Sequence, residues 1–272
     1  MNTPQLRSIA LATGVLALLV CGFRSATQPA RAGADPAMAA ATAAIPSGPE
    51  GDLIREGRQL MNQTRTFAGA YVKAGMECSA CHLNAGTVPH GGSLLGVYAT
   101  FPQWNGRAKR FITLSDRLDE CFMYSMNGRP PAPSGHEIVA LTAYIAFLSR
   151  GADIPTGFPD QGFVTVKAPD PPNAAAGATV YAAQCEACHG ANGAGNADGS
   201  IPPLWGPASF NDGAGMNTKM AAFVKANMPL GRGGSLSDQQ ATDVAAYVLS
   251  HPRPHFDGSA AITFRTLPAA YF

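Results

Sequence analysis

Cys78-Ser79-Ala80-Cys81-His82 recurs further along the chain as Cys185-Glu186-Ala187-Cys188-His189. A Cys-x-x-Cys-His run is the attachment pattern of c-type haem. Two thiols about one helical turn apart each add to a haem vinyl group, and the adjoining His is placed to ligate the iron from one face. A disulfide or a redox dithiol is the plainer alternative, but neither copy has the strand-then-helix setting of a redox Cys pair. The reading is two covalently bound haem c groups. Cys78 and Cys81 hold the first with His82 as iron ligand; Cys185 and Cys188 hold the second with His189.

Working outward, each motif follows a helix-like segment, Asp52–Thr64 in the first half and Ala174–Gln184 in the second. Each half also closes on an amphipathic helix with a capping-box pattern. In the first half Ser134 and Glu137 precede Ile138, Leu141, Tyr144, Ile145 and Leu148; in the second, Ser237 and Gln240 precede Val244, Tyr247 and Val248. Between them Pro155, Pro159, Pro169, Pro171 and Pro172 mark a linker. Continuous alternating apolar patterning is absent, so the expected fold is all-α, with two cytochrome c domains in tandem. The expected boundaries are 51–150 for the first domain, 151–172 for the linker, 173–256 for the second domain and 257–272 for a C-terminal tail. Each half is short and loop-rich, and the porphyrin supplies much of its apolar core.

The N-terminus reads as a secretory signal: Arg7, the apolar run Ile9–Val20, then a small-residue stretch with Ala30-Arg31-Ala32 offering cleavage near Ala32. Export to the periplasm suits haem attachment, which takes place outside the cytoplasm. Lipidation at Cys21 is the alternative, with Val20 a poor residue before it. No stretch of the mature chain could span a membrane. Residues 33–50 are Ala, Pro and Gly with few bulky apolar side chains, and are expected to be a flexible lead-in. The 272 residues are 46% hydrophobic and 14% charged, with a formal charge of +1. That balance excludes a disordered acidic or basic tail and a nucleic-acid binder with a basic stripe.

Each iron needs a second axial ligand. For the second haem Met228, in Asn227-Met228-Pro229-Leu230, presents a thioether after a helix-like segment, with Met216 and Met220 as alternatives. The first half has no equivalent Met-Pro. Beyond the signal, four of the five remaining Cys are consumed by haem, leaving Cys121. A lone thiol in an oxidising compartment invites a reason. It lies in a segment, Leu114 to Gly128, that reads as one helix ended by Gly128. Arg117, Cys121 and Ser125 form one polar stripe on it, beside an apolar stripe of Leu114, Leu118, Phe122 and Met126. His90, Met123 and Met126 compete with Cys121 for this ligand position, and spacing alone leaves the choice open. His136, His251 and His255 read as structural or surface residues.

Cys121-Phe122-x-x-Ser125-Met126-Asn127-Gly128, preceded by Leu114-x-Asp116-Arg117, resembles the signature of the periplasmic diheme thiosulfate dehydrogenases. Cys78–Gly86, Phe101-Pro102-Gln103 and Asn227–Leu230 share the likeness, which runs from about Arg55 to Phe256. The resemblance implies that Cys121 is the axial thiolate of the first haem and that this haem is the active site. It implies that Arg107, Arg117 and Ser125 line the substrate pocket, with Arg129 in place of a basic residue that follows Asn-Gly. Some family members exchange a Lys beside the Met ligand for it on reduction; here Asn227 is in that place and the nearest Lys is Lys225. The implied reaction joins two thiosulfates into tetrathionate and passes two electrons to an acceptor, a cytochrome c or another redox protein, with either direction open. Guanidinium forks at Arg107, Arg117 and Arg129, with Lys109 and Arg110, suit a site that must bring two dianions together. The competing readings are a plain diheme electron-transfer cytochrome and a Cys-ligated haem subunit of a sulfur-oxidising complex; a diheme peroxidase lacks its acid/base pair.

Overall fold

The protein's structure is a computed structural model that describes residues 35–256. The signal segment 1–32, Cys21 and the tail 257–272 lie outside the described residues.

In the first half, helix α1 (Pro36–Thr42) is started by Asp35, whose Oδ1 accepts from the Ala37 N–H at 3.0 Å. Ala37 and Ala40 are buried against the first core. An Ala-rich turn with a good cap needs only two small side chains to dock on a neighbour, so the described part of the expected lead-in, from 35 on, holds a helix. Helix α2 (Pro49–Asn62) carries Glu50 and Asp52 in its first turn and buries Ile54, Gly57, Leu60 and Met61 on one face. A short α3 (Thr64–Phe67) follows. Thr64 is fully buried; its hydroxyl donates to the Leu60 carbonyl at 2.8 Å and accepts from the Cys78 N–H at 2.9 Å, tying the first haem motif to α2. After the motif comes α4 (Leu83–Gly86), kinked at Asn84 and Ala85, which take positive φ.

Strands β1 (Gln103–Asn105) and β2 (Arg110–Ile112) form an antiparallel hairpin pairing Asn105 with Arg110, a small departure from an all-helical expectation. Helix α5 (Leu114–Glu120) opens on a capping box of Thr113 and Asp116. The single helix expected from 114 to 128 does not form. Residues Cys121–Ser125 make a π turn, in which the Met126 N–H donates to the Cys121 carbonyl at 2.9 Å. The turn holds one extra residue, and Asn127, not Gly128, takes the left-handed conformation that ends it. Gly128 answers a different need, because a Cβ there would lie 1.9 Å from the Tyr71 carbonyl oxygen. Helix α6 (His136–Phe147) has Gly135 as N-cap and no side-chain cap. The expected Ser134/Glu137 box is absent because a turn closed by the Gly135 N–H on the Ala132 carbonyl, at 2.7 Å, leaves Ser134 one residue outside.

In the second half, α7 (Ala174–Gln184) is capped by Asn173, whose Oδ1 accepts from Ala175 N and Ala176 N. The short α8 (Glu186–His189) carries the second motif, and α9 (Met220–Asn227) leads into Met228. Helix α10 (Asp238–Ser250) begins with the expected Ser237/Gln240 capping box.

The halves share one packing device. A Cβ on Gly57 of α2 would lie 2.1 Å from the Ala140 carbonyl and 2.7 Å from the Tyr144 Cβ of α6. On Gly177 of α7 it would lie 2.0 Å from the Asp243 carbonyl and 2.8 Å from the Tyr247 Cβ of α10. In each half the first and last helices cross in contact at a glycine. One core lies around α2 and α6; the other gathers Tyr181, Phe210, Leu236 and Val244, and takes in Ala74, Met76 and Met126 from the first half. Hydrogen bonds cross between the halves from Gly75 N to Ala208 O at 2.7 Å and from Asn211 Nδ2 to Met123 O at 2.9 Å.

Candidate active site

A cleft with about 1000 Å³ of space free of protein atoms, part of it open solvent, lies in the first half. Cys78, Cys81 and His82 line it together with Arg117, Cys121 and Ser125, from α5 and the π turn. Its remaining lining is largely apolar, including Leu94, Phe101, Leu118 and Ile145. His82 Nδ1 lies 2.5 Å from the Gly92 carbonyl, so it donates there and leaves Nε2 with its lone pair facing away from that bond. Burial lowers the His82 pKa, with Arg117 and Lys219 adding to the effect, which favours the neutral, ligating ring. Burial pushes the Cys78 thiol up to about 12 and Cys81 to about 11, so both are held as thiols. An apolar slot with two thiols one turn apart, an oriented imidazole, and a third thiol lining the same space fits a covalently attached haem.

The second motif repeats the oriented imidazole and one half-buried thiol. His189 Nδ1 donates to the Pro202 carbonyl at 3.1 Å, and burial lowers its pKa. Burial takes Cys185 to about 11. Cys185, Trp205 and Met216 pack on the second core, in which Met220 is buried. Met228 caps α9 and is half-buried, its N–H donating to Val224 O at 2.9 Å. Lys225 is committed elsewhere: Nζ donates to the Leu236 carbonyl at 2.6 Å and pairs with Asp238 at 3.1 Å.

Around the first cavity the structure gathers Arg117, Cys121 and Ser125, and separates them from two competitors. His90 does not line the cavity; its Nδ1 donates to Gly162 O at 2.6 Å. Met123 is buried away from the cavity, whereas Met126 lines it. Arg107 and Arg129 are not part of the lining. The Arg107 guanidinium lies 4.0 Å over the Tyr124 ring and donates to Gly213 O at 2.7 Å. Arg129 lies 4.9 Å over Tyr71. Aromatic faces and a carbonyl hold these two cations outside the cavity. Arg110 pairs with Asp116 at 3.2 Å. His136, His251 and His255 bond Glu56, the Tyr247 carbonyl and Asp212 in turn.

One residue is absent from the sequence reading. Lys219, at the start of α9 in the second half, interacts electrostatically with Arg117, Cys121 and Arg107. Loss of surrounding water lowers its pKa, Arg117 and Arg107 push the same way, and Cys121 opposes them. Cys121 also raises the Arg117 pKa above its ordinary value, more than burial lowers it. Arg117, Lys219 and Arg107 thus place positive charge near the Cys121 sulfur, and of the three only Arg117 lines the cavity, alongside Glu77. A local pattern around Lys219 carries no sign of this, because the contact exists only between the halves.

Residues 63–154 match the family described as SoxA/TsdA, cytochrome c domain, and residues 172–248 match the one described as cytochrome C oxidase, cbb3-type, subunit III. The chain is 43% identical over 218 residues to a thiosulfate dehydrogenase of Stutzerimonas stutzeri, covering 77% of this chain and 70% of that one. It is 41% identical over 226 residues to a thiosulfate dehydrogenase of Allochromatium vinosum, covering 79% and 84%. Among solved structures it superposes on the thiosulfate dehydrogenase (TsdBA) of Marichromatium purpuratum with a TM-score of 0.75 at 36% identity. That match covers 83% of this chain and about half, 52%, of the other.

Proposed function

This chain belongs to the thiosulfate dehydrogenase family of diheme cytochromes c, and from that premise we propose that it joins two thiosulfates into tetrathionate in the cavity beside Cys121. The observation that carries the proposal is the shared lining of Cys121, Arg117 and Ser125 with Cys78, Cys81 and His82. The two haems, when bound, supply the electron-accepting chemistry: the first at the substrate, the second toward an outside acceptor.

The chain's own residues do the rest. Cys121, as a thiolate, and His82 would hold the iron of the first haem, and Met228 and His189 that of the second. The engagement of Lys225 by Leu236 and Asp238 argues against its replacing Met228. Arg117 meets the sulfonate oxygens of thiosulfate with charge-assisted hydrogen bonds, and Lys219 adds a cation at the same place. Arg107 joins them on leaving the Tyr124 face, Arg129 lends a more distant positive field, and Ser125 offers a hydroxyl donor beside the sulfur. The overall change forms one S–S bond between two sulfane sulfurs and releases two electrons, with no proton gained or lost. In the working sequence the Cys121 thiolate and one thiosulfate form an S–S bond with loss of two electrons. A second thiosulfate then attacks the sulfane sulfur, tetrathionate leaves, and the thiolate is restored.

We read the domains as 51–150 and 173–256, joined by 151–172, with export to the periplasm after cleavage near Ala32. Among the described residues no helix is long and apolar enough to cross a membrane. The electron acceptor is taken to be a cytochrome c or a comparable redox protein. Cys121→Gly is expected to abolish thiosulfate-dependent reduction of an artificial acceptor while mass spectrometry still finds two attached haems. Retained turnover would refute the role of Cys121.

A further inference from the structure

We propose that Asn105 and Glu120 are positioning residues for the substrate-binding guanidiniums: Glu120, gripped by Asn105, aims Arg117 and fixes the hairpin turn that carries Arg107. The inference rests on the thiosulfate reading and deepens it.

Glu120 is 5% exposed and immediately precedes Cys121. A buried carboxylate beside a sulfur that must meet dianions is electrostatically costly unless its partners repay it. Its partners are specific. Asn105 Nδ2 donates to both carboxylate oxygens, at 2.9 and 3.0 Å, and Arg117 Nη1 lies 3.5 Å from Oε2. The Arg117 contact is long and single, so the guanidinium is steered while its other donors stay available. Asn105 Oδ1 meanwhile accepts from the N–H groups of Arg107 and Ala108, each at 2.9 Å. One amide side chain thus links the helix bearing Arg117 to the turn bearing Arg107. On the facing strand Arg110, the register partner of Asn105, is tied to α5 by Asp116, and Asp116 is already explained by the capping box. Glu120 has no such local purpose; its bonds all lead to the two arginines or their support.

The test uses the diheme enzyme. Thiosulfate oxidation with an artificial acceptor gives KM and kcat. Calorimetric titration of tetrathionate into the oxidised enzyme, without an electron donor, gives a binding constant independent of turnover. For Asn105→Ala and for Glu120→Gln, KM and the tetrathionate Kd are expected to rise about tenfold, with kcat within about threefold of wild type. Asn105→Asp, which sets two carboxylates face to face, is expected to weaken binding at least as much. Combining Asn105→Asp with Glu120→Gln exchanges donor and acceptor across the same contact, and is expected to restore binding to within about threefold of wild type. Single variants that bind and turn over like wild type would overturn the proposal. Should the singles lose haem or fold poorly, the double variant decides: recovery supports the brace, and failure to recover overturns it. A wild-type protein that neither oxidises thiosulfate nor binds tetrathionate would overturn the substrate reading, and this inference with it.

Discussion

Arg117 is the cation that shares the cavity wall with Cys121, and a charge-assisted bond to a sulfonate is worth about 1.5–3 kcal/mol. Arg117→Ala is accordingly expected to raise KM for thiosulfate by roughly 10- to 100-fold. Lys219 is partly exposed at the surface and outside the cavity lining, so Lys219→Ala is expected to cost only about threefold, fading as salt is added. Steady-state assays at two ionic strengths check both, and equal losses would contradict this ranking. Asp119 offers a pH test. It is 4% exposed, its Oδ1 has no partner, and burial, with Asp116 adding, raises its pKa from 3.8 to about 7. The unfolded chain therefore releases this proton first. The neutral form's contribution to stability is full below about pH 4 and is lost as pH rises through 7. Asp119→Asn keeps a neutral side chain, so its Tm advantage over wild type is expected to widen between pH 5 and pH 8. Each kcal/mol gained corresponds to about 2–4 °C. A gap that stays constant would count against a carboxyl titrating near neutrality. At this scale Arg117, Cys121 and Ser125 were legible, because one helical stripe carries all three. Lys219 was not, because its neighbours lie about a hundred positions earlier and only tertiary packing joins them. Arg107 and Arg129 followed from resemblance alone, and here their guanidiniums rest on Tyr124 and Tyr71.

At the scale of elements, the π turn is the feature periodicity misread. A 3.6-residue repeat carries the helix on through Cys121, yet one extra residue between Cys121 and Met126 re-aims the segment and keeps Ser125 on the cavity wall. The cap of α10 was legible since Ser237 and Gln240 need only each other's backbone; the cap of α6 was not, since a turn from Ala132 displaced it. Neither glycine crossing shows in a hydrophobic pattern, because what matters is the absence of a side chain. Gly57→Ala and Gly177→Ala each force a methyl to within about 2 Å of a carbonyl oxygen on the facing helix. Each is expected to cost about 1–3 kcal/mol by overpacking, read from thermal or denaturant unfolding of the diheme protein. A change under about 0.5 kcal/mol at either would show that the helices separate freely.

For the molecule as a whole, the repeated Cys-x-x-Cys-His motif was enough to imply two haem domains, but not that they share packing. Met126 lines the first cavity and belongs to the second core, and Lys219 reaches back from the second half toward Cys121. The halves therefore pack as one body, and cations from both lie near Cys121. The claim on which this rests is ligation of the first haem by Cys121 opposite His82. Electron paramagnetic resonance of the oxidised protein tests it directly, with Cys121→Gly measured beside wild type. The account predicts a low-spin thiolate-ligated signal in wild type that vanishes in the variant while the His/Met signal of the second haem persists. Spectra with only His/His or His/Met signals, unchanged by the substitution, would contradict it.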